Sequence, residues 1–442
     1  MIGKPGMPGW VAHAVFWHVY PLGFTGAERR TSDMGDATLT HRLNQLEGWL
    51  DYAVELGCSA LALGPIFASE SHGYDTVDHL RIDPRLGDDA DFDRLVAALR
   101  ARGLRLVLDG VFNHVARSFP RLVDLSAAPD SSPYRGWFRR KRDRPSELVT
   151  FEGHHALVAL NHDEPQVADY VRDVMEHWLA RGVDGFRLDA AYAVPPRFWQ
   201  PVLARLRSVH PDAWFAGEVI HGDYSAIVEE SGFDSVTQYE LWKSIWSSLN
   251  DTNFFELAWT LSRHDQFATR FIPLTFVGNH DVTRIASRLQ DPRRLAHALV
   301  VLFTVAGIPW VYSGDEQAFR GIKEEREGGD DAVRPAFPAD PSGLAPDGWP
   351  IYRLHQKLIG LRRRHAWLQT SRLEVTTKRN ELIAYTCRSG EHQLSVALNI
   401  GEQPYTVTGP LRILLASTDQ PPSAAMQQAV VEPNGWLVSE PA

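Results

Sequence analysis

Residues 184–218 read DGFRLDAAYAVPPRFWQPVLARLRSVHPDAWFAGE, and this segment gives the clearest indication of the fold. It begins and ends with short apolar runs, at 184–189 and 214–218, and each run closes on an acidic residue. Between the runs, apolar side chains follow helical spacing from Pro196 onward, and proline is tolerated in the first turn of a helix. A strand, a helix and a second strand in this order indicate two parallel strands joined by a crossover helix.

The same alternation of short strand-like runs and longer helical stretches extends over most of the chain. Eight segments have the apolar, β-branched or aromatic character of strands: 14–20, 59–63, 105–109, 184–189, 214–218, 235–238, 272–277 and 308–312. Helical spacing occurs at 43–56, 91–101, 165–181, 196–209, 291–304 and 350–365. Eight strands that alternate with helices predict an α/β fold, a (β/α)8 TIM barrel.

Two intervals break this alternation and divide the chain. The first separates the third strand from its helix and contains four prolines with several Gly and Ser, so we expect an inserted loop domain where active-site loops lie. In the second, near the carboxyl terminus, alternating runs at 382–388, 393–399 and 411–415 predict an antiparallel β domain. We assign residues 1–113 and 162–368 to the barrel, 114–161 to the inserted loop domain and 369–442 to the C-terminal β domain.

Composition and charge exclude several classes of protein. Among the 442 residues, 44% are hydrophobic and 23% are charged, as in ordinary soluble globular proteins. The formal net charge of -10 argues against a nucleic-acid partner, because nucleic acids bind to concentrated basic surfaces. The two cysteines imply no disulfide framework. There is no apolar run of about 18 residues and no hydrophobic leader, so we predict a cytoplasmic protein without membrane insertion.

Five of the predicted strands end in polar residues. The segments are LDGVFNH (108–114), GFRLD (185–189), AGE (216–218), VGNHD (277–281) and YSGDE (312–316). In a parallel barrel the carboxyl ends of the strands converge on one pocket. A single acidic residue after a strand is more often a helix cap, but five such ends together favour an active site.

Asp189 and Glu218 have the placement that glycoside hydrolysis with retention requires. That reaction needs two carboxyl groups about 5–5.5 Å apart, one ionised to attack the anomeric carbon and one protonated to serve the leaving oxygen. The fourth and fifth strands are neighbours, so their ends can meet this spacing. Arg187 lies on the same strand face as Asp189 and favours an ionised nucleophile there. Glu218, among apolar neighbours and in the field of Asp189, then suits the general acid/base.

The other strand ends supply groups that can hold a sugar. Asp281 is a third carboxylate, placed to hydrogen-bond hydroxyls and to stabilise an oxocarbenium-like transition state. His114 and His280 each follow an Asn and can donate to hydroxyls. After the second strand, Tyr74 offers an aromatic platform beside the carboxylate of Asp75, although a lone tyrosine is more often a packing residue.

At these residues the sequence resembles the α-amylase superfamily of retaining glycoside hydrolases. The motifs occur in family order: Asp-x-x-x-Asn-His at 109–114, Gly-Phe-Arg-Leu-Asp at 185–189, Gly-Glu-Val at 217–219 and Asn-His-Asp at 279–281, with His-Gly-Tyr-Asp at 72–75. The resemblance implies Asp189 as nucleophile, Glu218 as acid/base and Asp281 as transition-state stabiliser. It also implies a subsite for the non-reducing-side glucosyl ring, lined by His72, Tyr74, Asp75, Asp109, His114, Arg187 and His280.

Within the superfamily the chain is similar to the neopullulanase and cyclomaltodextrinase branch. This likeness is carried by the segments LNHDEPQV (160–167), PPRFW (195–199) and PDAW (211–214). Where that branch has Pro-Lys and Trp near its acceptor-side subsites, this chain has Val158-Ala159 and Ile220. Tyr192-Ala193 replaces the Lys-His pair of starch-cleaving α-amylases, which favours short oligosaccharides as substrates.

The loop after the last strand adds one candidate residue. Residues 330–335, DDAVRP, resemble the loop in which relatives place a charged residue near the substrate, so Arg334 is a candidate and a solvated loop is the equal alternative. The acids of the insertion lack the ligand spacing of a calcium site, and calcium takes six to eight oxygens. We therefore predict no metal and no cofactor. The expected partner is a small oligosaccharide, and the oligomeric state is left open.

Three functions are consistent with these residues. The first is hydrolysis of α-glucosidic bonds in short malto-oligosaccharides or related cyclic or branched α-glucans through a covalent glycosyl-enzyme intermediate. The second is α-glucosyl transfer, as in trehalose- or sucrose-active relatives, which use the same intermediate and differ in whether water or a sugar intercepts it. The third is sugar binding without turnover, which the presence of all three carboxylates disfavours.

Overall fold

Eight parallel strands form the central sheet of the computed structural model, which describes residues 7–326, 328–418 and 425–442. The strands are β1 (Phe16–Val19), β2 (Ala60–Leu63), β3 (Arg105–Gly110), β4 (Gly185–Leu188), β5 (Trp214–Gly217), β6 (Ser235–Val236), β7 (Leu274–Thr275) and β8 (Ile308–Tyr312). Their spatial order is β6-β5-β4-β3-β2-β1-β8-β7, and a parallel bridge between Thr237 and Leu274 joins the two ends. The sheet therefore closes into the barrel that the sequence predicts.

Helices connect these strands. The α-helices are Pro21–Phe24, Leu43–Glu47, Leu50–Leu56, Asp89–Ala101, Pro120–Ala127, Pro165–Ala180, Pro196–Val209, Tyr224–Ser231, Tyr239–Asn250, Phe255–Ala268, Ile285–Arg288, Leu295–Thr304 and Trp349–Arg364. Short 3-10 helices lie at Gly9–His13, Thr31–Met34, Phe151–Gly153, Ala191–Ala193, Pro292–Arg294, Asp315–Gln317, Asp331–Val333, Pro341–Gly343, Pro346–Gly348 and Ala366–Thr370. Among the described residues no helix combines the length and the apolarity needed to cross a membrane.

The observed elements differ from the predicted ones mainly at their ends. Pro165 and Pro196 are the first residues of their helices, as predicted. The predicted helix at 43–56 is wrong as a single element, because the chain makes a tighter turn at Gly48 and Trp49 and then begins a second helix. β6 and β7 each contain only two residues, so the predicted strands at 235–238 and 272–277 are too long.

The interior of the barrel changes from apolar to polar along its axis. The Phe16 ring stacks against the rings of Trp214 and Trp310, with centroids 5.4 and 5.0 Å away, and forms an apolar plug. Side chains of a strand alternate between its faces, so Arg187 points inward two residues after Gly185. A Cβ at Gly185 would collide with the carbonyl oxygen of Trp214, so glycine permits the close approach of β4 and β5. The polar layer thus rests on a packed floor.

The insertion and the carboxyl-terminal region form separate small sheets. In the insertion, His114–Ala116 pairs antiparallel with Leu157–Ala159, and the sequence did not predict its helix Pro120–Ala127. After β2, Phe67–Ser69 pairs antiparallel with Thr76–Ile82. The final sheet is antiparallel and consists of β9 (Arg372–Lys378), β10 (Leu382–Ser389), β11 (His392–Asn399), β12 (Tyr405–Ala416), β13 (Met426–Val431) and β14 (Trp436–Pro441).

The sequence predicted part of the C-terminal β sheet, and two other predictions are not tested by the structure. The predicted strands at 382–388, 393–399 and 411–415 fall within β10, β11 and β12, whereas β9, β13 and β14 were missed. The domain boundaries at 113/114, 161/162 and 368/369 stay a prediction. The amino-terminal residues 1–6, on which the prediction of a cytoplasmic protein partly rests, lie outside the described residues.

Candidate active site

Two neighbouring strand ends bring Asp189 and Glu218 together. Leu188 of β4 pairs in register with Gly217 of β5, and the amide of Glu218 donates to the carbonyl of Leu188 at 2.9 Å. Both acidic side chains follow directly and are buried, with 7% and 6% of each residue exposed. The amide of Ala190 donates to Oε2 of Glu218 at 3.0 Å. The two carboxylates therefore lie side by side, as the strand order predicts.

The guanidinium of Arg187 contacts three carboxylates. Its Nη1 donates to both oxygens of Asp109 at 2.7 Å and to Oδ1 of Asp189 at 3.2 Å. Its Nη2 lies 2.5 Å from Oε1 of Glu218. Asp109 and Arg187 are directly opposite each other in β3 and β4, which explains why Nη1 reaches both oxygens of Asp109. Arg187 therefore pairs with all three carboxylates rather than with Asp189 alone.

Because Arg187 is shared among three carboxylates, its effect on the pKa of Asp189 is smaller than expected. Burial and the charge of Glu218 raise the pKa of Asp189 well above its ordinary value, and the contact with Arg187 only partly opposes them. Arg187 does favour the ionised form of Asp189, as predicted, but burial and Glu218 outweigh this effect, and the same guanidinium also pairs with Asp109 and Glu218.

Tyr74 forms the wall opposite Arg187. Its hydroxyl donates to Oδ2 of Asp109 at 2.9 Å and contacts Nε2 of His280. The rings of Tyr74 and His280 are parallel, with centroids 5.4 Å apart. Burial raises the pKa of Tyr74, so the phenol keeps its proton and acts as a donor. These contacts fix the three predicted site residues relative to one another.

His114 has both ring nitrogens occupied by protein groups. Its Nε2 donates to the carbonyl of Tyr74 at 3.0 Å, and its Nδ1 accepts from the amide of Asn113 at 3.0 Å. Burial lowers the pKa of His114 to about 3, so the ring is neutral and these two bonds set its tautomer. In this structure His114 holds the Tyr74 segment in place, rather than presenting a free donor to a sugar.

Asp281 and Arg334 form the third side of the site. Nη2 of Arg334 donates to Asp281 at 2.9 Å, and its Nε donates to the carbonyl of His280 at 2.9 Å. The side chain of Arg334 is 9% exposed, so it does not belong to a solvated loop. Burial opposes ionisation of Asp281, but His280 and Arg334 outweigh it and hold the pKa of this carboxyl well below its ordinary value. Asp281 is therefore the carboxylate that stays ionised.

Replacing Arg334 with Gln should shift the acid limb of the pH profile toward higher pH. The change removes a cation that favours the ionised form of Asp281, so the pKa of Asp281 rises and the ionised fraction is lost sooner as the pH falls. We expect this shift in kcat/KM measured from pH 4 to pH 8 for the variant and the wild type. Arg197→Gln, which removes an exposed pair with Asp163, is the control. An unmoved acid limb in Arg334→Gln would contradict the assignment.

His72 and Asp75 lie on the rim beside this third side. Asp75 is buried and accepts from the hydroxyl of Ser71 at 2.6 Å, and its other oxygen lies 3.9 Å from Nδ1 of His72. The half-exposed ring of His72 borders a cavity of about 450 Å³ that Tyr20 and Arg334 also line. His72 is thus placed at an open cavity, whereas Asp75 supports the segment behind it.

Two residues of the site, Tyr20 and Tyr239, escaped the sequence analysis. Tyr20 donates to the carbonyl of His72 at 2.7 Å, and its ring lies 4.6 Å from the Arg334 guanidinium. Tyr239 donates to Oε1 of Glu218 at 3.2 Å and accepts from the amide of Asn279 at 2.9 Å. Tyr20 ends the first predicted strand and Tyr239 follows the sixth, so a search of every strand end for phenols as well as acids could have found both.

One further group of side chains has the composition of a metal site. Within the described residues, His41, Asp88 and Asp91 are close enough to share an ion. However, oxygens of Asp88 and Asp91 accept backbone N–H groups at the start of the helix Asp89–Ala101, and Asp91 also pairs with His41. The group has a structural explanation, and the absence of a metal requirement stays a prediction.

Comparison with known proteins assigns the family. The model of the alpha-amylase catalytic domain matches residues 18–371. The chain belongs to the α-amylase family of glycoside hydrolases. A cyclomaltodextrinase from Bacillus sp is 30% identical over 429 residues, which cover 90% of this chain and 75% of the relative. Neopullulanase 2 of Thermoactinomyces vulgaris is 29% identical over 434 residues, which cover 90% and 71%. The predicted likeness to this branch of the α-amylase family is confirmed.

Two solved structures share the fold of this chain. The debranching enzyme of Nostoc punctiforme superposes with a TM-score of 0.82 at 25% identity over 99% of this chain and all of that chain. The cyclic alpha-maltosyl-(1-->6)-maltose hydrolase of Arthrobacter globiformis superposes with a TM-score of 0.81 at 24% identity over 98% and 100%. The barrel with a carboxyl-terminal β sheet is therefore confirmed, and this member of the α-amylase family is an enzyme, a glycoside hydrolase.

Proposed function

We propose that this α-amylase-family enzyme is a retaining hydrolase of α-glucosidic bonds in short malto-oligosaccharides or related cyclic or branched α-glucans. The observation that carries the proposal is the side-by-side placement of Asp189 and Glu218 on one shared cation, Arg187. Asp189 is the nucleophile, Glu218 is the acid/base, and Asp281 stabilises the transition state. Asp109, Tyr74 and His280 shape the floor and wall of the same pocket.

The reaction proceeds in two displacements. In the first, Glu218 protonates the glycosidic oxygen while a carboxylate oxygen of Asp189 attacks the anomeric carbon, which releases the leaving sugar and forms a glycosyl ester. In the second, Glu218 takes a proton from water, the water oxygen attacks the same carbon, and the ester bond breaks. This cycle requires that Glu218 carries the proton and Asp189 the negative charge when substrate is bound.

Two features support short α-glucans as substrates. A cavity of about 450 Å³ is lined by His72, Tyr20 and Arg334, the last of which pairs with Asp281, and its size is ordinary for a small-ligand site. This cavity supports a substrate with more than one sugar ring on the donor side of the cleaved bond. The cyclomaltodextrinase and neopullulanase relatives are named for cyclic and branched α-glucans, which supports the same class here.

Glucosyl transfer is the second candidate, and the acceptor side favours it. The half-buried ring of Tyr192 follows the nucleophile, at the position of the Lys-His pair in starch-cleaving enzymes, and an aromatic ring suits a sugar acceptor better than it suits water. Hydrolysis and transfer share the glycosyl ester, so they differ only in what breaks it.

A cytoplasmic site of action is also part of the proposal. An intracellular maltogenic amylase of Bacillus subtilis is 27% identical over 346 residues, which cover 71% of this chain. This relative supports action inside the cell. Detection of the native enzyme in cytosolic rather than secreted fractions would test it.

The substrate and the stereochemistry can be tested in one experiment. The enzyme is incubated separately with maltotriose, cyclodextrins, pullulan, trehalose and sucrose, and the products are separated by chromatography. Proton NMR during the first minutes identifies the first-formed anomer. We expect maltose and glucose with the α-anomer first, because two displacements retain configuration. A β-anomer first would exclude the retaining mechanism, and failure to cleave any α-glucan would overturn the proposed substrate class.

A further inference from the structure

Two consecutive residues of the insertion have an unusual backbone conformation. Glu152 has φ 46° and is followed by Gly153 with φ 81°, so two consecutive residues adopt the left-handed conformation. That conformation is costly for a residue with a side chain and persists where other contacts compensate for it. The exposed side chain of Glu152 makes such a contact, because its carboxylate turns back toward the barrel.

Glu152 holds the phenol of Tyr192. The hydroxyl of Tyr192 donates to Oε1 of Glu152 at 2.6 Å, across 40 residues of sequence. The amide of Tyr192 donates at 3.2 Å to the backbone carbonyl of Glu218, so the same residue is tied to the acid/base strand. Burial and the bond to Glu152 raise the pKa of Tyr192, which keeps the phenol protonated as the donor. One hydrogen bond thus connects the insertion to the loop that follows the nucleophile.

Tyr192 belongs to a row of rings beside Glu218. The rings of Phe151 and Tyr192 have centroids 6.5 Å apart, and those of Tyr192 and His221 are 5.7 Å apart. At the inner end Phe151 stacks on His114 at 4.6 Å. Phe151 and Tyr192 are partly buried and His221 is exposed, so the row presents ring surface to solvent. We call Phe151, Tyr192 and His221 the aromatic wall.

The position of the aromatic wall identifies which sugar it meets. The cavity beside Tyr20, His72 and Arg334 lies at the ends of β1, β2 and β8. The aromatic wall lies at the ends of β3, β4 and β5, on the other side of Asp189 and Glu218. A substrate whose donor rings occupy the cavity therefore places its leaving-group ring against the aromatic wall. Rings that combine an apolar face with polar edges suit the C–H faces and hydroxyls of such a sugar.

We propose that Glu152 is a positioning residue: its hydrogen bond fixes Tyr192 in the aromatic wall, and this sets how well the enzyme uses a sugar as leaving group or acceptor. This inference rests on the proposed function and adds the determinant of acceptor choice to it. Loss of the Glu152–Tyr192 bond frees the phenol, so a sugar on this side loses an ordered surface. Water and a small leaving group use no such surface.

The test compares two substrates that share the same maltosyl donor. Maltotriose releases glucose against the aromatic wall, whereas α-maltosyl fluoride releases fluoride. For Glu152→Ala and for Tyr192→Phe we expect kcat/KM on maltotriose to fall about threefold to tenfold, the size of one hydrogen bond. On α-maltosyl fluoride we expect less than about a twofold change, while the ratio of transfer to hydrolysis with added maltose falls in parallel with the maltotriose value.

Further variants separate a positioning role from a structural one. The double variant should be no worse than either single variant, because both remove the same bond. Glu152→Gln should restore most of the activity on maltotriose, because an amide oxygen still accepts from the phenol. Glu147→Ala removes an exposed acid from the same insertion, where it pairs with Lys141 and Arg144, and should change neither substrate.

Each other outcome overturns the proposal in a recognisable way. Equal losses on maltotriose and α-maltosyl fluoride would show a general structural effect, and unchanged values on both would show that the bond is irrelevant to acceptor binding. A matching loss in Glu147→Ala would assign the effect to the insertion as a whole. A wild-type enzyme that cleaves neither substrate would instead overturn the proposed function, and this inference with it.

Discussion

Replacing Asp189 with Ala should lower kcat/KM on malto-oligosaccharides by about four orders of magnitude or more, the scale seen when an essential nucleophile is removed. In the proposed mechanism this carboxylate forms the glycosyl ester, so its removal abolishes the first displacement. Initial rates of glucose and maltose release from maltotriose measure the loss. Near-ultraviolet circular dichroism checks that the variant folds.

Sodium azide provides a sharper test of the same residue. An external anion can occupy the space that the Asp189 carboxylate leaves and attack the anomeric carbon directly, while Glu218 still protonates the leaving oxygen. We expect azide to restore part of the cleavage of activated substrates and to give a glycosyl azide of inverted, β configuration. Asp163→Ala, which removes an exposed acid, is the matched control and should keep wild-type rates. Activity of Asp189→Ala within tenfold of the wild type, without azide, would exclude it as the nucleophile.

Replacing Glu218 with Gln should lower turnover of maltotriose by about 10²- to 10⁴-fold, the usual contribution of general acid–base catalysis. The amide has nearly the shape of the carboxylate and its single oxygen can still accept from either Ala190 or Tyr239, so the pocket should keep its overall shape. However, the amide has no acidic proton for the leaving oxygen. The loss should therefore depend on the leaving group.

The dependence on the leaving group is the decisive measurement for Glu218. Fluoride leaves with little need for protonation, so the first step of Glu218→Gln on α-maltosyl fluoride should be slowed far less than cleavage of maltotriose. Single-turnover kinetics separate that step from the second displacement, which still lacks its base. Glu229→Gln changes an exposed helical acid and serves as the control. Equal losses on both substrates would exclude Glu218 as the proton donor.

The fold was predictable because its signals are local. Each barrel strand is a short apolar run, and each crossover helix has apolar side chains at helical spacing, as in 184–218. The misses are places where that signal is weak or misleading. β6 and β7 contain two residues each, and the helical spacing of 43–56 continues across Gly48 although the backbone does not.

The site was predictable to the extent that strand ends define it. The parallel barrel brings the carboxyl ends of its strands together, so Asp109, Arg187, Asp189 and Glu218 could be grouped without coordinates. How these four residues share their charges could not be predicted. Strand alternation placed Arg187 beside Asp189, but the register of β3 against β4 puts Asp109 directly opposite the same guanidinium. Register between strands depends on packing, which a single sequence does not display.

Sequence by itself determined the family, the barrel and the identity of the two central carboxylates, because strand alternation and short motifs are properties of neighbouring residues. Three contacts are visible only in the tertiary structure: the carboxylates that share Arg187, the burial of Arg334 against Asp281, and the hydrogen bond by which Glu152 holds Tyr192 beside Glu218. These contacts join segments that are far apart in the chain, such as 152 with 192 and 281 with 334. Their partners are set by the packing of the loops on the barrel and leave no local pattern in the sequence.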